Sequence, residues 1–204
     1  MKMEKEKKLL AEKINEAEMV LVGIGEEFGE SMDKGKAIPQ LAECFQAIEK
    51  NERQSWMLPY LEKLQGDWLG TEKTAKAYET LEKLLDQKNY FIVSTRMDDY
   101  IYETKLKKEK IVTPCGGNRF LQCPDGCGKH LYQADGQLPG KIFEYLIGKG
   151  NGKSGEVPAV SDLKLAGEDE GRDQISCPTC PECGKYLVFN NRKAKQYVEE
   201  GYLE

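Results

Sequence analysis

The sequence predicts an α/β fold that combines a small parallel sheet with a cysteine-rich, metal-binding ribbon. Apolar runs of strand length, rich in β-branched residues, occur at 19–22, 90–95 and 110–114, and a strong helical pattern stands directly before the second run. Of the chain's seven cysteines, six lie between residues 115 and 183. The apolar runs predict the sheet, and the clustered cysteines predict the metal site.

The first predicted elements are an amphipathic helix over 4–17 and a strand that follows it at once. The apolar face of the helix comprises Leu10, Ile14 and Ala17. "MVLV" (19–22) is a continuous apolar run that ends in Gly23 and Gly25. Such a run is typical of a buried parallel strand that enters a tight turn. A lone Gly-x-Gly is equally compatible with an ordinary strand-to-helix turn.

Three more helices and two more strands are predicted before residue 115. Two of the helices lie after Pro39 and around Pro59, and the clearest one spans 72–88. Its apolar stripe comprises Ala75, Tyr78, Leu81 and Leu85. "YFIVST" (90–95) follows directly, and a helix that leads straight into a strand is typical of β-α-β units with parallel strands. The third strand is predicted at 110–114.

The spacing of the cysteines predicts a tetrahedral zinc site. Cys123 and Cys127 lie on one tight turn, and "CPTCPECG" (177–184) supplies a second turn far along the chain. Two such thiol pairs hold a zinc ion between them, and four thiolates leave no coordination position for a catalytic water. The predicted zinc is therefore structural, with unligated or redox-active thiols as the alternative.

Three cysteines compete for two positions in the second turn. Cys180 and Cys183 are the favoured pair, because the glycine after Cys183 tolerates a positive φ and lets backbone N–H groups turn toward sulfur. Cys177 stays open as a replacement ligand. His130, the single histidine, is predicted to be a surface residue.

In their order along the chain, these features resemble the sirtuin family of NAD-dependent protein deacylases and ADP-ribosyltransferases. "YFIVSTRMDD" (90–99) is similar to the family's strand ending in Thr-Gln-Asn-Ile-Asp. "IVTPCGGNRFLQC" (111–123) is similar to its Glu-Leu-His-Gly segment and first zinc cysteine, and "CPECGKYLVFNNRKAKQYVEE" (180–200) to its second zinc segment. The closest similarity is to the bacterial branch that works as an ADP-ribosyltransferase.

The resemblance implies a shortened Rossmann-like parallel sheet of sirtuin type with an inserted four-cysteine zinc ribbon. The Rossmann-like domain, which is incomplete, would comprise 1–118 and 187–204, and the zinc ribbon would comprise 119–186. Within the ribbon, the glycine-rich stretch 148–155 and the acidic stretch 167–173 are predicted to be loops. The implied cofactors are a structural Zn²⁺ and, in an active protein, NAD.

The resemblance also assigns site residues. Those implied for NAD binding are Gly23, Gly25, Thr95 and Asp98. Cys115 stands at the position of the family's catalytic His, Arg96 at that of its Asn, and Asp98 matches its Asp; these three are the implied catalytic residues. Because the His is absent, ADP-ribosyl transfer is favoured over deacylation. A catalytically inactive NAD- or ADP-ribose-binding protein, or a structural zinc protein on a sirtuin-like scaffold, is the alternative.

Cys115 has two interpretations at this stage. It is either a reactive thiolate favoured by the nearby Arg96 cation or a small residue that fills the space of the missing His. In both cases we expect it at the carboxyl end of the third strand, where open α/β sheets bind their ligands.

Composition and charge indicate which classes of partner and which cellular location to expect. The net charge of −5 argues against a nucleic-acid-binding protein, which would present a basic face. No run of 18 apolar residues and no leader-like segment occurs, so a cytoplasmic protein without membrane contact is predicted. Only three parallel strands are found before the sequence stops after "YVEEGYLE" (197–204). We therefore expect a second chain, from a homo-oligomer or another partner, to cover the open sheet edge.

Overall fold

The structure, a computed structural model, describes residues 2–28, 39–49, 52–69, 71–128, 130–147, 175–195 and 197–198. The helices are α1 (Lys2–Glu16), α2 (Pro39–Glu49), α3 (Leu58–Leu69), α4 (Thr71–Leu85) and α5 (Leu138–Ile147). The strands are β1 (Val20–Ile24), β2 (Tyr90–Ser94), β3 (Ile111–Val112), β4 (Gly116–Gln122), β5 (Tyr132–Gln133) and β6 (Val188–Asn191). The loops predicted at 148–155 and 167–173, and the end of the last sirtuin-like segment, lie outside the described residues.

The chain forms two compact units. The first comprises Met1–Ser31, Gly70–Gly116 and Glu199–Glu204, and the second comprises Met32–Leu69 and Gly117–Val198. The domain boundaries drawn from the sequence stay a prediction. The second unit groups 32–69 with the cysteine-rich region, whereas the sequence-based division assigned that segment to the Rossmann-like part.

The first unit contains the parallel sheet that the apolar runs predict. Its strand order is β1-β2-β3, and both pairings are parallel. Along β1 and β2 the register runs from Val20 opposite Tyr90 to Ile24 opposite Ser94. The α/β class and the three parallel strands are therefore confirmed, while the finer assignment to a Rossmann fold of sirtuin type stays a prediction.

The core of the first unit lies between α4 and the sheet. Its buried residues are Ile24, Tyr78, Leu81, Leu85, Tyr90, Ile92, Ile101, Leu106 and Ile111. The predicted stripe on α4 is correct at three positions but wrong at Ala75, which is exposed. Thr74 is fully buried instead. The buried face of α4 is thus displaced by one residue at its start and comprises Thr74, Tyr78, Leu81 and Leu85, which follow one another at i+4 and i+3 spacing.

The prediction that the first strand is buried, like the apolar face of the first helix, is wrong in part. Leu21 is 71% exposed in β1, Leu10 is 62% exposed in α1, and Met19 between the two elements is 62% exposed. In β2, by contrast, Ile92 is fully buried. The reason is the face of the sheet: Leu21 pairs with Phe91 and shares its face, which lies opposite the face that packs on α4, whereas Ile92 points toward α4.

The second unit packs three helices with a small sheet of order β5-β4-β6. Its helices are α2, α3 and α5, and two of them begin near the prolines that predicted them. The buried core comprises Leu41, Cys44, Ile48, Met57, Tyr60, Leu61, Leu64, Leu121, Cys123, Leu138, Ile142, Leu146, Cys180, Leu187 and Phe189. One cysteine from each predicted zinc turn therefore belongs to this core. Among the described helices of both units, none is long and apolar enough to cross a membrane.

Candidate functional site

Four thiols converge in the second unit, and they are the four that the sequence selects. The Sγ atoms of Cys123, Cys127, Cys180 and Cys183 all lie within 4.8 Å of one another. Those of Cys123 and Cys183, one from each turn, are 3.6 Å apart. A zinc ion bound tetrahedrally at about 2.3 Å from each sulfur holds the sulfurs about 3.8 Å apart. The cluster has the composition and the spacing that such a metal ion needs.

The first cysteine turn begins directly after β4. The N–H of Gly126 donates to the carbonyl oxygen of Cys123 at 3.1 Å, and Gly126 has a φ of 66°. A residue with a side chain would be strained at that φ, so glycine allows the turn to close. The turn places Cys123 in the core and leaves Cys127 exposed.

The second turn repeats this arrangement. The N–H of Gly184 donates to the carbonyl oxygen of Cys180 at 2.8 Å, and that of Cys180 to the carbonyl oxygen of Lys185 at 2.8 Å. Gly184 has a φ of 71°, as the glycine after Cys183 predicts. Again the first cysteine is buried and the second is exposed.

The electrostatics of the cluster favour a cation at its centre. The backbone N–H of Cys127 is the largest influence that lowers the pKa of Cys123 to about 6, and the N–H of Asp125 adds to it. The pKa of Cys127 is raised to about 12, first by its hydrogen bonds with Cys183 and Cys123. Thiols this close cannot all ionise alone, because each thiolate repels the next. A bound dication removes the conflict, since it stabilises all four thiolates together.

An ion pair between the two turns was missed by the sequence analysis. Lys185, two residues after Cys183, bonds to the carboxylate of Asp125 in the first turn. This hydrogen bond is the largest cause of the raised pKa of Lys185. The sequence does contain a signal for this ion pair, because an acidic residue lies within two residues of one thiol pair and a basic residue within two residues of the other.

The remaining polar residues near the turns lie outside the cluster. Cys177 donates from its thiol to the carbonyl oxygen of Pro178 at 3.6 Å, and burial raises its pKa to about 12. Cys177 is not one of the four thiols that lie within 4.8 Å of one another. His130 is exposed, as expected.

The second candidate site lies at the carboxyl ends of β1 and β2, within the first unit. Thr95 connects these two ends, because its N–H and its hydroxyl both donate to the carbonyl oxygen of Ile24, at 2.9 and 3.2 Å. The glycine turn, which we define as residues 25–28, starts at the next residue. The N–H of Phe28 closes it by donating to the carbonyl oxygen of Gly25 at 3.1 Å.

Arg96 and Asp98 meet at this turn. The Nε atom of Arg96 donates to the Asp98 carboxylate at 2.6 Å, and its Nη2 atom bonds to the same oxygen. Its Nη1 atom donates to the carbonyl oxygens of Glu26 and Phe28, at 3.1 and 2.5 Å. The other oxygen of Asp98 accepts the N–H of Tyr100 at 3.2 Å. The structure thus brings together two predicted catalytic residues and the turn that follows Gly23 and Gly25.

Cys115 lies beyond β3, in a turn that the N–H of Gly116 closes on the carbonyl oxygen of Thr113 at 2.8 Å. It is half-buried and is not a member of the four-thiol cluster. Among the described residues, none of the hydrogen bonds of Arg96 goes to Cys115. The two interpretations of this thiol, reactive or space-filling, both stay predictions.

Gly23, and Gly25 at the start of the turn, are not required by the packing around them. A Cβ atom added to Gly23 or Gly25 would meet no heavy atom within 4 Å among the described residues, and neither residue has a positive φ. Glycine at such positions suits the close approach of a ligand or another backbone. The glycine turn therefore remains a candidate binding site.

Comparison with known proteins assigns no family. No family model matches the chain, and no curated protein matches it either. The resemblance to sirtuins, with the NAD site and the activity that it implies, stays a prediction.

Proposed function

We propose that the protein binds one zinc ion through Cys123, Cys127, Cys180 and Cys183, and that this zinc is structural. The observation that carries the proposal is the convergence of the four Sγ atoms within 4.8 Å. Four thiolates complete the tetrahedral coordination of zinc and leave no open position for water. The ion would join two turns that are far apart in sequence.

Metal analysis of protein purified without added metal tests this proposal. We expect one zinc ion per chain, loss of zinc in Cys183→Ser, and full zinc content in the matched control Cys177→Ser. Iron in place of zinc would contradict the metal that we assign, and retention of the metal by Cys183→Ser would show that the donor set has been assigned wrongly. Loss of zinc in Cys177→Ser would make that thiol a ligand.

For the first unit we propose, on the sirtuin resemblance, an NAD-binding site at the glycine turn. The space beside Gly23 and Gly25 supports it, because a dinucleotide needs close approach to the backbone and the packing does not otherwise require glycine there. Thr95 and Asp98 stand at the same edge of the sheet. The two acidic residues of the turn, Glu26 and Glu27, must direct their carboxylates away from a bound pyrophosphate.

Gly25→Ala separates ligand binding from folding. Because no described residue has a heavy atom within 4 Å of the added methyl group, we expect an unchanged melting temperature. Isothermal titration with NAD should show binding to the natural protein and at least about tenfold weaker binding to the variant, equivalent to about 1.4 kcal/mol. Absence of binding to the natural protein would leave the structural zinc protein as the function.

The activity we propose for an NAD-bound form is ADP-ribosyl transfer to a protein, in preference to deacylation. NAD supplies an ADP-ribosyl group on a carbon that becomes cationic as nicotinamide leaves. Asp98 is the carboxylate that matches the family's Asp, Arg96 forms an ion pair with it, and Cys115 stands in the place of the family's base. A fixed guanidinium next to a developing cation slows the reaction, so slow turnover is expected.

Nicotinamide release, measured with and without an acetyl-lysine peptide, distinguishes the activities. Release without deacetylated peptide supports ADP-ribosyl transfer, and ready deacetylation would contradict it. Binding of NAD or ADP-ribose without any release supports the alternative, a catalytically inactive binding protein.

We also propose that a second chain covers the free edge of β1. The exposed Leu21 and Met19 support this, because a strand of apolar residues is usually covered on both faces. Light scattering should show a dimer or larger assembly, and Leu21→Lys should reduce it. A monodisperse monomer at micromolar concentration would contradict the proposal. A cytoplasmic location, which we propose as well, fits the seven cysteines, of which none forms a disulfide.

A further inference from the structure

The Arg96 guanidinium is hydrogen-bonded on two sides at the edge of the first unit's sheet. Arg96 is only 8% exposed, although an arginine normally keeps its charged end in water. Its guanidinium binds the Asp98 carboxylate on one side and two backbone carbonyl oxygens, those of Glu26 and Phe28, on the other. The backbone N–H of Arg96 also donates a hydrogen bond, to the hydroxyl oxygen of Ser94 at 3.3 Å.

The two carbonyl oxygens belong to one short turn, and both face the same cation. They flank Glu27, and the turn's own hydrogen bond joins Phe28 to Gly25. The Phe28 ring packs on Tyr78 of α4, with ring centroids 4.9 Å apart. The turn is therefore fixed by the Tyr78 ring from one element and by the Arg96 guanidinium from another.

We propose that Arg96 is a positioning residue that closes the glycine turn onto the sheet edge. Its planar group has donors in a fixed fork, so one side chain can bind a carboxylate and two carbonyl oxygens at once. The carbonyl oxygens of Glu26 and Phe28 and the carboxylate of Asp98 form a site that fits a guanidinium ion. The inference concerns the conformation of residues 25–28 and does not depend on NAD binding.

The physical reason for closure is the cost of leaving part-buried acceptors without the donors that the guanidinium supplies. Without the guanidinium, the Asp98 carboxylate would lose its counter-ion and the two carbonyl oxygens would lose their donor. These acceptors are hydrated more completely when the turn moves away from the sheet. Removal of Arg96 therefore shifts the turn toward an open conformation, while the strands keep their own hydrogen bonds.

Amide hydrogen exchange of the full chain tests the proposal, with the Phe28 amide as the reporter because it closes the turn. In Arg96→Ala we expect its exchange to be at least about tenfold faster, while the amide of Ile92 in β2 keeps its rate. In Arg96→Lys, the exchange rate of the Phe28 amide should lie between the rates of the natural protein and of Arg96→Ala, since an ammonium group is a point charge without the fork of donors. Lys83→Ala, on the exposed side of α4, is the matched control and should exchange as the natural protein does.

Chemical rescue adds a measurement that a general loss of stability would not reproduce. Guanidinium chloride at millimolar, non-denaturing concentration should slow Phe28 exchange in Arg96→Ala toward the natural rate, and sodium chloride at the same concentration should not.

Three outcomes would overturn the inference. The first is an exchange rate of the Phe28 amide in Arg96→Ala that equals the rate in the natural protein. The second is an equal rise in the exchange rates of the Phe28 and Ile92 amides, which would mean that Arg96 stabilises the whole unit and not the turn alone. The third is that guanidinium chloride and sodium chloride slow the exchange of the Phe28 amide in Arg96→Ala equally. If Arg96→Ala does not fold, Arg96→Lys decides: Phe28 exchange at the natural rate in that variant would show that the fork is not needed.

Discussion

The cysteine cluster and the glycine turn both gather polar groups at the ends of strands, yet they differ in how these groups are satisfied. In the cluster, four thiols lie within 4.8 Å of one another, and their ionisation is mutually opposed. At the glycine turn, by contrast, the Asp98 carboxylate and two carbonyl oxygens already have the Arg96 guanidinium as their cation. The first arrangement could hold an external cation, as we propose, and the second carries its own.

This difference predicts that the two units depend on metal unequally. A structural metal contributes folding energy because the unfolded chain has no preformed site. The first unit has a core of aliphatic and tyrosine side chains between α4 and the sheet, and no cysteine belongs to that core. We therefore expect metal removal to affect the second unit alone.

The largest effect is expected from Cys123→Ser. A structural zinc contributes about 10–16 kcal/mol in small zinc domains, which is comparable with the whole stability of about 5–15 kcal/mol of a folded domain. The second unit should therefore lose its cooperative melting. Both tryptophans, Trp56 and Trp68, lie in that unit, so their fluorescence reports on it directly. An unchanged fluorescence melting curve would contradict the prediction that the second unit depends on the metal more than the first.

The next effect is expected in the first unit, from Ile92→Ala. Ile92 is fully buried in β2, and the loss of a large buried aliphatic side chain costs about 2–5 kcal/mol. The matched control is Leu21→Ala in β1, where the side chain is 71% exposed within one chain, so in monomeric protein the change should stay within about 0.5 kcal/mol. Urea unfolding followed by circular dichroism, repeated over a range of protein concentrations, measures both variants, and the zinc content should be unchanged. A loss from Leu21→Ala that grows with protein concentration would support the second chain over β1, whereas equal losses from the two variants at every concentration would contradict the contrast between the two positions.

The two strands also show where sequence analysis succeeds and where it stops. The sequence of β2 predicts its type, its position after α4 and its burial correctly. The apolar run of β1 predicts a strand and its parallel pairing, but not the exposure of Leu21, because a run of apolar residues carries no information about which neighbours are present. The one-residue displacement of the α4 stripe has a similar cause, since Ala75 is small enough for either face.

The candidate sites divide in the same way. The metal cluster is predictable, because zinc turns need cysteines at fixed short spacing and a glycine that tolerates positive φ. The contacts of Arg96 are not predictable, because they are made to backbone carbonyl oxygens, which any residue provides. The ion pair of Asp125 and Lys185 lies between these cases: its charges are visible in the sequence, but their pairing depends on how the two turns meet.

A smaller effect is expected from pH, through the buried Cys44 of α2. Burial, with a contribution from Glu43, raises the pKa of Cys44 from 9.0 to about 11. Between these values the unfolded chain releases the thiol proton while the folded chain keeps it, so stability falls as pH rises from 9 toward 11. Cys44→Ala should make this fall shallower in zinc-loaded protein, as measured by urea unfolding at several pH values. If stability falls equally steeply with pH in Cys44→Ala, groups other than Cys44 cause the pH dependence.

The smallest effect is expected from Asp125→Asn, which removes the ion pair between the two zinc turns. Both side chains are about half exposed, at 48% for Asp125 and 57% for Lys185, and exposed ion pairs contribute about 0–1 kcal/mol. We therefore expect a small loss of stability that shrinks further at high salt, with zinc content unchanged. A double-mutant cycle with Lys185→Met isolates the pair from the effect of each charge on the thiolates. If Asp125→Asn instead released zinc, the two turns would depend on this pair to meet, and the cluster would no longer be held by its metal alone.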